Sequence, residues 1–311
     1  MRILFMGTPD FAVPVLKTLT ENHEIVMVVT QPDRPKGRGH GAGFSAVKEY
    51  ALSIGLPVLQ PEKVRKNDLF VEEITALNAD VFVVVAYGQI LPLRILKIPL
   101  LGCVNIHGSL LPKYRGAAPI QRAILNGDEI TGVTIQYMDK GMDTGDMILK
   151  KPLVIEKNDR FADVHDKMAV LSCECILEAL QLIEAGSAPR EHQNHDEATY
   201  APMLTKEDGL IDWSGSASKI VNQVRALDPW PGTYTYLEGQ PVKIWECSVA
   251  EEGSKWENAK PGEVLEVNRH LLVKTGDKAL SVTMIQKQNS KRMAAADFLR
   301  GNAIEIGTVL G

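Results

Sequence analysis

The sequence predicts an α/β fold: a mostly parallel sheet with helices on both faces, followed by a smaller domain of β type. Three observations predict it. Short apolar runs at 3–6, 25–29, 81–85 and 102–106 alternate with helix-period segments, as expected of strands buried from both sides in a parallel sheet. A polar, irregular stretch carrying Pro189, His192, Asn194 and His195 then interrupts the pattern, which marks a linker. Beyond it, strand-like runs at 242–247, 262–267, 270–275 and 279–285 are spaced by turns, the spacing of a small barrel or sandwich. A chain of 311 residues is at the upper end of what one core supports. We therefore expect a Rossmann-like domain over 1–188, a linker over 189–205 and a second domain over 206–311.

The run 3–6 leads through Gly7-Thr8-Pro9-Asp10 into a helical pattern of Phe11, Val15, Leu16 and Leu19. The run 25–29 leads through a loop to a helix over 45–54, and 81–85 leads to Tyr87-Gly88-Gln89. The run 102–106 leads through a loop to a helix over 117–125. Between 130 and 155 two strands follow one another without a helix, and 161–185 is one long amphipathic helix stopped by Gly186 and Pro189. In such sheets ligands sit at the carboxyl ends of the strands, so the loops that follow these runs meet in space.

Composition narrows the function. A 45% hydrophobic and 23% charged chain is ordinary for a globular protein, and the formal charge of -5 excludes a generic nucleic-acid binder while allowing a local basic face. Cys103, Cys173, Cys175 and Cys247 are too few and uneven for a disulfide framework. The first residues run directly into strand-like sequence, and 81–85 is far too short to span a bilayer. The expectation is a cytoplasmic protein with no membrane partner.

The chemistry concentrates between Val104 and Asp146. Asn105 and His107 are two apart at a strand end, so both side chains point to one side. An amide and an imidazole there can donate to a carbonyl oxygen as it becomes an oxyanion. They can equally satisfy the next loop. Asp139, Asp143 and Asp146 cluster around Gly141 and Gly145, where Asp143 can orient an imidazole or accept a proton through water, whereas Asp146 reads as a cap of its own turn. Ser109-Leu110-Leu111-Pro112 is an apolar loop that fits one wall of a slot for a flat heteroaromatic ligand, or a hydrophobic plug. The glycine-rich basic loop 33–43, centred on Arg38, reads as a phosphate clamp or a solvated loop. Gly7-Thr8-Pro9-Asp10 lacks the dinucleotide fingerprint, and the scattered histidines offer no metal site.

These motifs carry a resemblance. Asn105-Ile-His107-Gly-Ser109-Leu-Leu-Pro112, Arg115-Gly116-Ala-Ala-Pro119 and Met142-Asp143-Thr-Gly145-Asp146 resemble the signature of the folate-dependent formyltransferases. Phe5-Met-Gly-Thr-Pro-Asp-Phe11-Ala, Thr30-Gln-Pro-Asp-Arg-Pro35, Val224-Arg-Ala-Leu-Asp-Pro-Trp-Pro-Gly232, Lys291-Arg-Met and Ala296-Asp-Phe-Leu-Arg-Gly301 resemble the branch that formylates methionine charged on initiator tRNA. The resemblance spans both halves. It implies a transferase of translation initiation, with 10-formyltetrahydrofolate as co-substrate, initiator methionyl-tRNA as partner and no metal. A monomer is expected.

By that resemblance Asn105, His107 and Asp143 form the catalytic set. Ser109, Leu110, Leu111 and Pro112 contact folate, and Gln89, Ile90, Leu91 and Asp139 line the pterin pocket. Phe11 stands beside the methionyl group, and Arg38 clamps the acceptor stem. The second domain is implied to be a small open, OB-like β-barrel touching tRNA. From Lys206 onward 13 Lys and Arg face 14 Asp and Glu, so RNA affinity must come from clustering, for which Lys206, Lys291, Arg292 and Arg300 are the candidates. One departure stands out: after Gly37-Arg38-Gly39 the family carries two lysines and a proline-flanked serine, whereas here stand His40-Gly41 and Phe44-Ser45-Ala46. Two alternatives remain: a formyltransferase acting on a sugar-nucleotide or purine-precursor amine, and a non-catalytic RNA-binding protein.

Overall fold

A computed structural model of the chain describes residues 1–35, 42–250, 256 and 258–311. It divides into two compact units, one of residues 1–119, 130–154 and 164–201, the other of 120–129, 155–163 and 202–311. The polar stretch after the long helix therefore stays with the first unit as far as Ala201. The second unit takes two short pieces of the earlier chain besides its own C-terminal run.

The first unit is built on seven strands: β1 Arg2–Gly7, β2 Glu24–Val29, β3 Val58–Leu59, β4 Val81–Val85, β5 Cys103–His107, β6 Ile130–Tyr137 and β7 Met147–Val154. They lie in the order β7-β6-β5-β4-β1-β2-β3. β1, β2, β3, β4 and β5 pair in parallel, while β6 and β7 are antiparallel additions at one edge. The apolar runs form strands because both faces are covered: Ile3, Leu4, Phe5 and Met6, like Val81, Phe82, Val83 and Val85, are fully buried. Helices α1 Ala12–Asn22, α2 Ala46–Ser53 and α3 Asp68–Ala76 follow β1, β2 and β3. Ser45 caps α2 by accepting the Lys48 N–H, and Asn67 caps α3 by accepting the Phe70 N–H. Neither α3, which buries Phe70 and Ile74, nor the two-residue β3 was among the sequence expectations. The long helix Phe161–Glu184 ends where Gly186 takes φ +66 and Ser187 N–H reaches back to the Leu182 carbonyl.

After β3 the chain crosses back over β1 to form β4, so strand order reverses between β1 and β4. That reversal opens a crevice at the carboxyl ends of the parallel strands. The loops there are tied together: Thr8 Oγ1 donates to the Tyr87 carbonyl at 2.9 Å and Gln31 Nε2 donates to the same oxygen at 3.1 Å.

The second unit holds an antiparallel sheet of Thr233–Leu237, Gln240–Ala250, Ala279–Lys287, Leu271–Lys274 and Val264–Val267, with Met293–Ala294 pairing beside Ala279–Lys287. Its inner face packs Val242, Ile244, Val273, Leu280 and Val282 against Ile220 and Val224 of helix Ala217–Ala226 and Phe298 of helix Ala295–Gly301. The two edge strands do not pair with each other. The last residues reach both: Thr308 and Leu310 bond to Val264 and Gly262, and Gly311 N–H donates to the Tyr236 carbonyl at 3.0 Å. An open barrel results, with its edges partly covered by the chain terminus.

Candidate active site

β5 and β6 place the polar residues. In antiparallel register Asn105 stands opposite Gln136 and His107 opposite Thr134, so these four side chains share one face. His107 is buried. Its Nε2 lies 2.8 Å from the Tyr114 carbonyl oxygen. A carbonyl only accepts, so Nε2 carries the hydrogen and the neutral ring presents an unprotonated Nδ1. Nδ1 faces Asp143 Oδ2 at 3.7 Å, too long for a direct hydrogen bond and close enough for an ion pair once the ring gains a proton. The half-buried Asn105 side chain has no hydrogen-bond partner among the described residues, which leaves its amide available to an incoming oxygen.

Asp143 is held from several sides. Oδ2 accepts the Gly116 N–H at 2.8 Å and Oδ1 accepts Gln136 Nε2 at 3.1 Å. Its own φ is +54, a conformation costly for a side-chain-bearing residue and sustained only by surrounding contacts. Gly145 permits the turn, because a Cβ there would sit 1.7 Å from the Tyr137 carbonyl oxygen. Gln136, buried in β6 along with Thr131 and Thr134, had no part in the expected site. Its signal was a lone glutamine at an inward position of 130–137.

The other expected residues separate into groups. Ser109 is buried and donates to the Lys113 carbonyl at 2.6 Å, while Thr134 Oγ1 ties the Ser109 carbonyl at 2.7 Å and the Leu111 N–H at 3.1 Å. Leu111 is thereby core, whereas Leu110 and Pro112 stay half-buried, Leu110 lying over Gly132. Gln89 is engaged in shaping its surroundings, accepting the Val64 N–H at 3.0 Å and donating to Pro61 and Glu62 carbonyls. Leu91 belongs to the sheet's core cluster and Ile90 is exposed. Asp139 caps its own loop, accepting from the Gly141 N–H and Thr144 Oγ1. Asp146 pairs with His192 at 2.5 Å and with Arg190 at 3.7 Å.

Phe11 is buried at the start of α1, edge-on to the His165 ring with centroids 5.3 Å apart. Arg38 lies outside the described residues. In the second unit Lys206 and Lys291 are exposed, and Arg300 pairs with Asp297. Arg292 is committed: its two guanidinium nitrogens grip Asp228 at 3.0 and 2.7 Å, and its plane lies 3.5 Å from the Trp245 ring centre. Among the described residues no three His, Cys, Asp or Glu side chains gather as a metal ion requires.

A family model described as formyl transferase matches residues 1–180, and its C-terminal domain model matches 203–303. The methionyl-tRNA formyltransferase of Caldanaerobacter subterraneus subsp. tengcongensis is 50% identical over the whole of both chains, and that of Clostridioides difficile is 51% identical over the whole of both. Among solved structures, HypX from Aquifex aeolicus in complex with tetrahydrofolic acid superposes with a TM-score of 0.66 at 23% identity, covering 99% of this chain and 50% of that longer one. An N-formyltransferase from Helicobacter canadensis, in complex with folinic acid and dTDP-3-aminofucose, superposes at 0.69 with 20% identity over 90% of this chain and 98% of its own. At such identities the likeness is one of fold. With both domain models matched and full-length relatives at half identity, the chain belongs to the formyl transferase family, among the methionyl-tRNA formyltransferases.

Proposed function

We propose that this chain formylates the α-amino group of methionine charged on initiator tRNA, with 10-formyltetrahydrofolate as donor and Asn105, His107 and Asp143 as the catalytic set. The observation that carries the reading is the full-length likeness to relatives named for that reaction. The chemistry of the residues present fits the donor: Asn105 offers an unpartnered amide at the end of β5, the following loop offers half-buried Leu110 and Pro112, and Ile90 is exposed on the loop after β4. When bound, 10-formyltetrahydrofolate supplies a formyl group activated by its attachment to nitrogen.

The chain's residues supply the rest. Asn105 donates to the formyl oxygen as negative charge grows on it. Asp143, fixed by Gly116 and Gln136, keeps lone pairs free to take the amine's proton through water. His107 is locked by Tyr114 with Nδ1 toward Asp143. It shares that proton, and as imidazolium it lends positive charge to the site. Ser109, Leu111, Gln89 and Leu91 act by holding the loops in shape, and Leu110, Pro112, Ile90 and Asp139 are left to meet the folate. Phe11 flanks the methionyl group and Arg38 the acceptor stem. The second unit, a monomer's tRNA-binding domain in the cytoplasm, presents Lys206, Lys291 and Arg300, while Arg292 shapes that surface through Asp228.

The test is formylation of charged initiator tRNA with 10-formyltetrahydrofolate, run beside an amino-sugar nucleotide as acceptor. Turnover of the tRNA alone is expected, with loss in His107→Ala and Asp143→Asn. Unchanged activity in both variants sinks the residue assignment, and preference for the sugar sinks the acceptor.

A further inference from the structure

The stretch 191–201, polar and irregular in sequence, touches both His107's support and Asp143. We propose that Gln193 and Thr199 are positioning residues for the transfer, Gln193 acting on Asp143 and Thr199 on His107. The inference rests on the catalytic reading of those two residues.

Gln193 is buried, and its direction is set by chemistry. Its Oε1 receives two bonds from Arg115, from Nε at 3.0 Å and Nη2 at 2.6 Å. A guanidinium only donates, so the amide nitrogen must point the other way. There Nε2 lies 2.8 Å from the Asp143 carbonyl, 2.8 Å from the Gly145 carbonyl and 3.2 Å from Gln136 Oε1. With Gln136 Oε1 engaged, the Gln136 amide nitrogen turns to Asp143 Oδ1. One orientation therefore passes from buried Arg115 through two glutamines to the carboxylate, and no amide in the chain can flip alone. Gln193 also braces the Asp143 backbone in its costly left-handed conformation.

Thr199 does the same for the imidazole. Its Oγ1 accepts the Tyr114 N–H at 2.8 Å, and its carbonyl accepts the Arg115 N–H at 2.8 Å. Tyr114 has φ +60, and its carbonyl is the group that selects the His107 tautomer. The adjoining pair of Tyr200–Ala201 with Arg115–Gly116 continues the tie as far as Gly116, whose N–H holds Asp143 Oδ2. The segment is thus a strap over the site, although no atom of Gln193 or Thr199 needs to reach substrate.

The experiment is steady-state and single-turnover formylation of charged initiator tRNA by the full-length protein. Gln193→Glu keeps an acceptor for Arg115 but has no hydrogen to give the two carbonyls or Gln136. Its kcat is expected to fall about 10²-fold, with KM for either substrate within about twofold, the pattern of a displaced catalytic group. In an Asp143→Asn background the same change costs nothing further, since a residue acting through Asp143 has nothing left to position. Thr199→Val lowers kcat in the same manner, and Thr199→Ser, which keeps the hydroxyl, restores it. Parental kcat in Gln193→Glu and Thr199→Val, or losses that multiply with Asp143→Asn, overturns the proposal. Should Gln193→Glu fail to fold, the Thr199 pair decides alone. Parental activity in Asp143→Asn itself brings down the catalytic reading as well.

Discussion

Asp143→Asn is the substitution whose cost the structure lets us work out most closely. The parent side chain is 16% exposed and accepts two hydrogen bonds, the Gly116 N–H on Oδ2 at 2.8 Å and Gln136 Nε2 on Oδ1 at 3.1 Å. An asparagine amide must turn its NH₂ toward one of these donors, so one bond becomes a donor–donor contact in either rotamer. Flipping Gln136 is no escape, because its Oε1 already accepts from Gln193, whose own direction is set by Arg115. A lost hydrogen bond to a charged acceptor is worth about 1.5–3 kcal/mol. For a unit of this size that corresponds to a fall of about 3–12 °C in the melting midpoint. Activity falls further, by about 10²–10⁴-fold, because the amide cannot take a proton. Thermal melting at neutral pH, read beside single-turnover formylation, measures both. A variant within about 0.5 kcal/mol of the parent, the range of an ordinary surface change, would falsify the directed network.

Three further outcomes are expected. Gly145→Ala places a methyl group 1.7 Å from the Tyr137 carbonyl oxygen, so the Asp143 loop must shift and kcat falls by about 10²-fold; parental turnover would show that the loop relaxes elsewhere. Asp277 caps helix Ala217–Ala226 by accepting the Ala217 N–H at 2.8 Å, and that bond above all holds its carboxyl below the ordinary 3.8. A depressed folded-state value means that the ionised carboxylate stabilises the second unit at neutral pH and that this stabilisation is lost as the solution is acidified below about pH 4. Asp277→Asn keeps a capping oxygen and removes that acid sensitivity, so equal pH slopes of stability for parent and variant between pH 5 and pH 3 would refute the linkage. Lys206→Gln and Lys291→Gln are expected to weaken tRNA binding and each to lower the salt slope by about one. Arg292→Gln instead lowers the melting midpoint, because Asp228 loses a two-pronged partner. A parental midpoint for Arg292→Gln would reverse that division.

Much of the fold was legible because its strands are simple. Residues 3–6, 25–29 and 81–85 are unbroken apolar runs, and burial on both faces produces that pattern directly. α3 was missed although Asn67 and the Phe70–Ile74 spacing announce it, since β3 before it is only two residues long and leaves no alternation to frame a unit. In the site, Asn105 and His107 could be paired on one face because strand periodicity is local. Gln136 and Gln193 could not be joined to Asp143. They come from a buried strand and from a stretch whose composition reads as a linker, and only the fold makes them adjacent.

By itself, then, the sequence determined the kind of sheet, the strand end that carries the imidazole and amide, and, through its motifs, the family. These depend on contacts within a few residues or on the identity of the residues themselves. Tertiary structure decided which nitrogen of His107 bears hydrogen, which way each amide points, and that Arg292 is spent on Asp228 while Lys291 is exposed. Those outcomes depend on which donor meets which acceptor across dozens of residues. A hydrogen bond's direction is a property of the pair, and the pair exists only once the chain has folded.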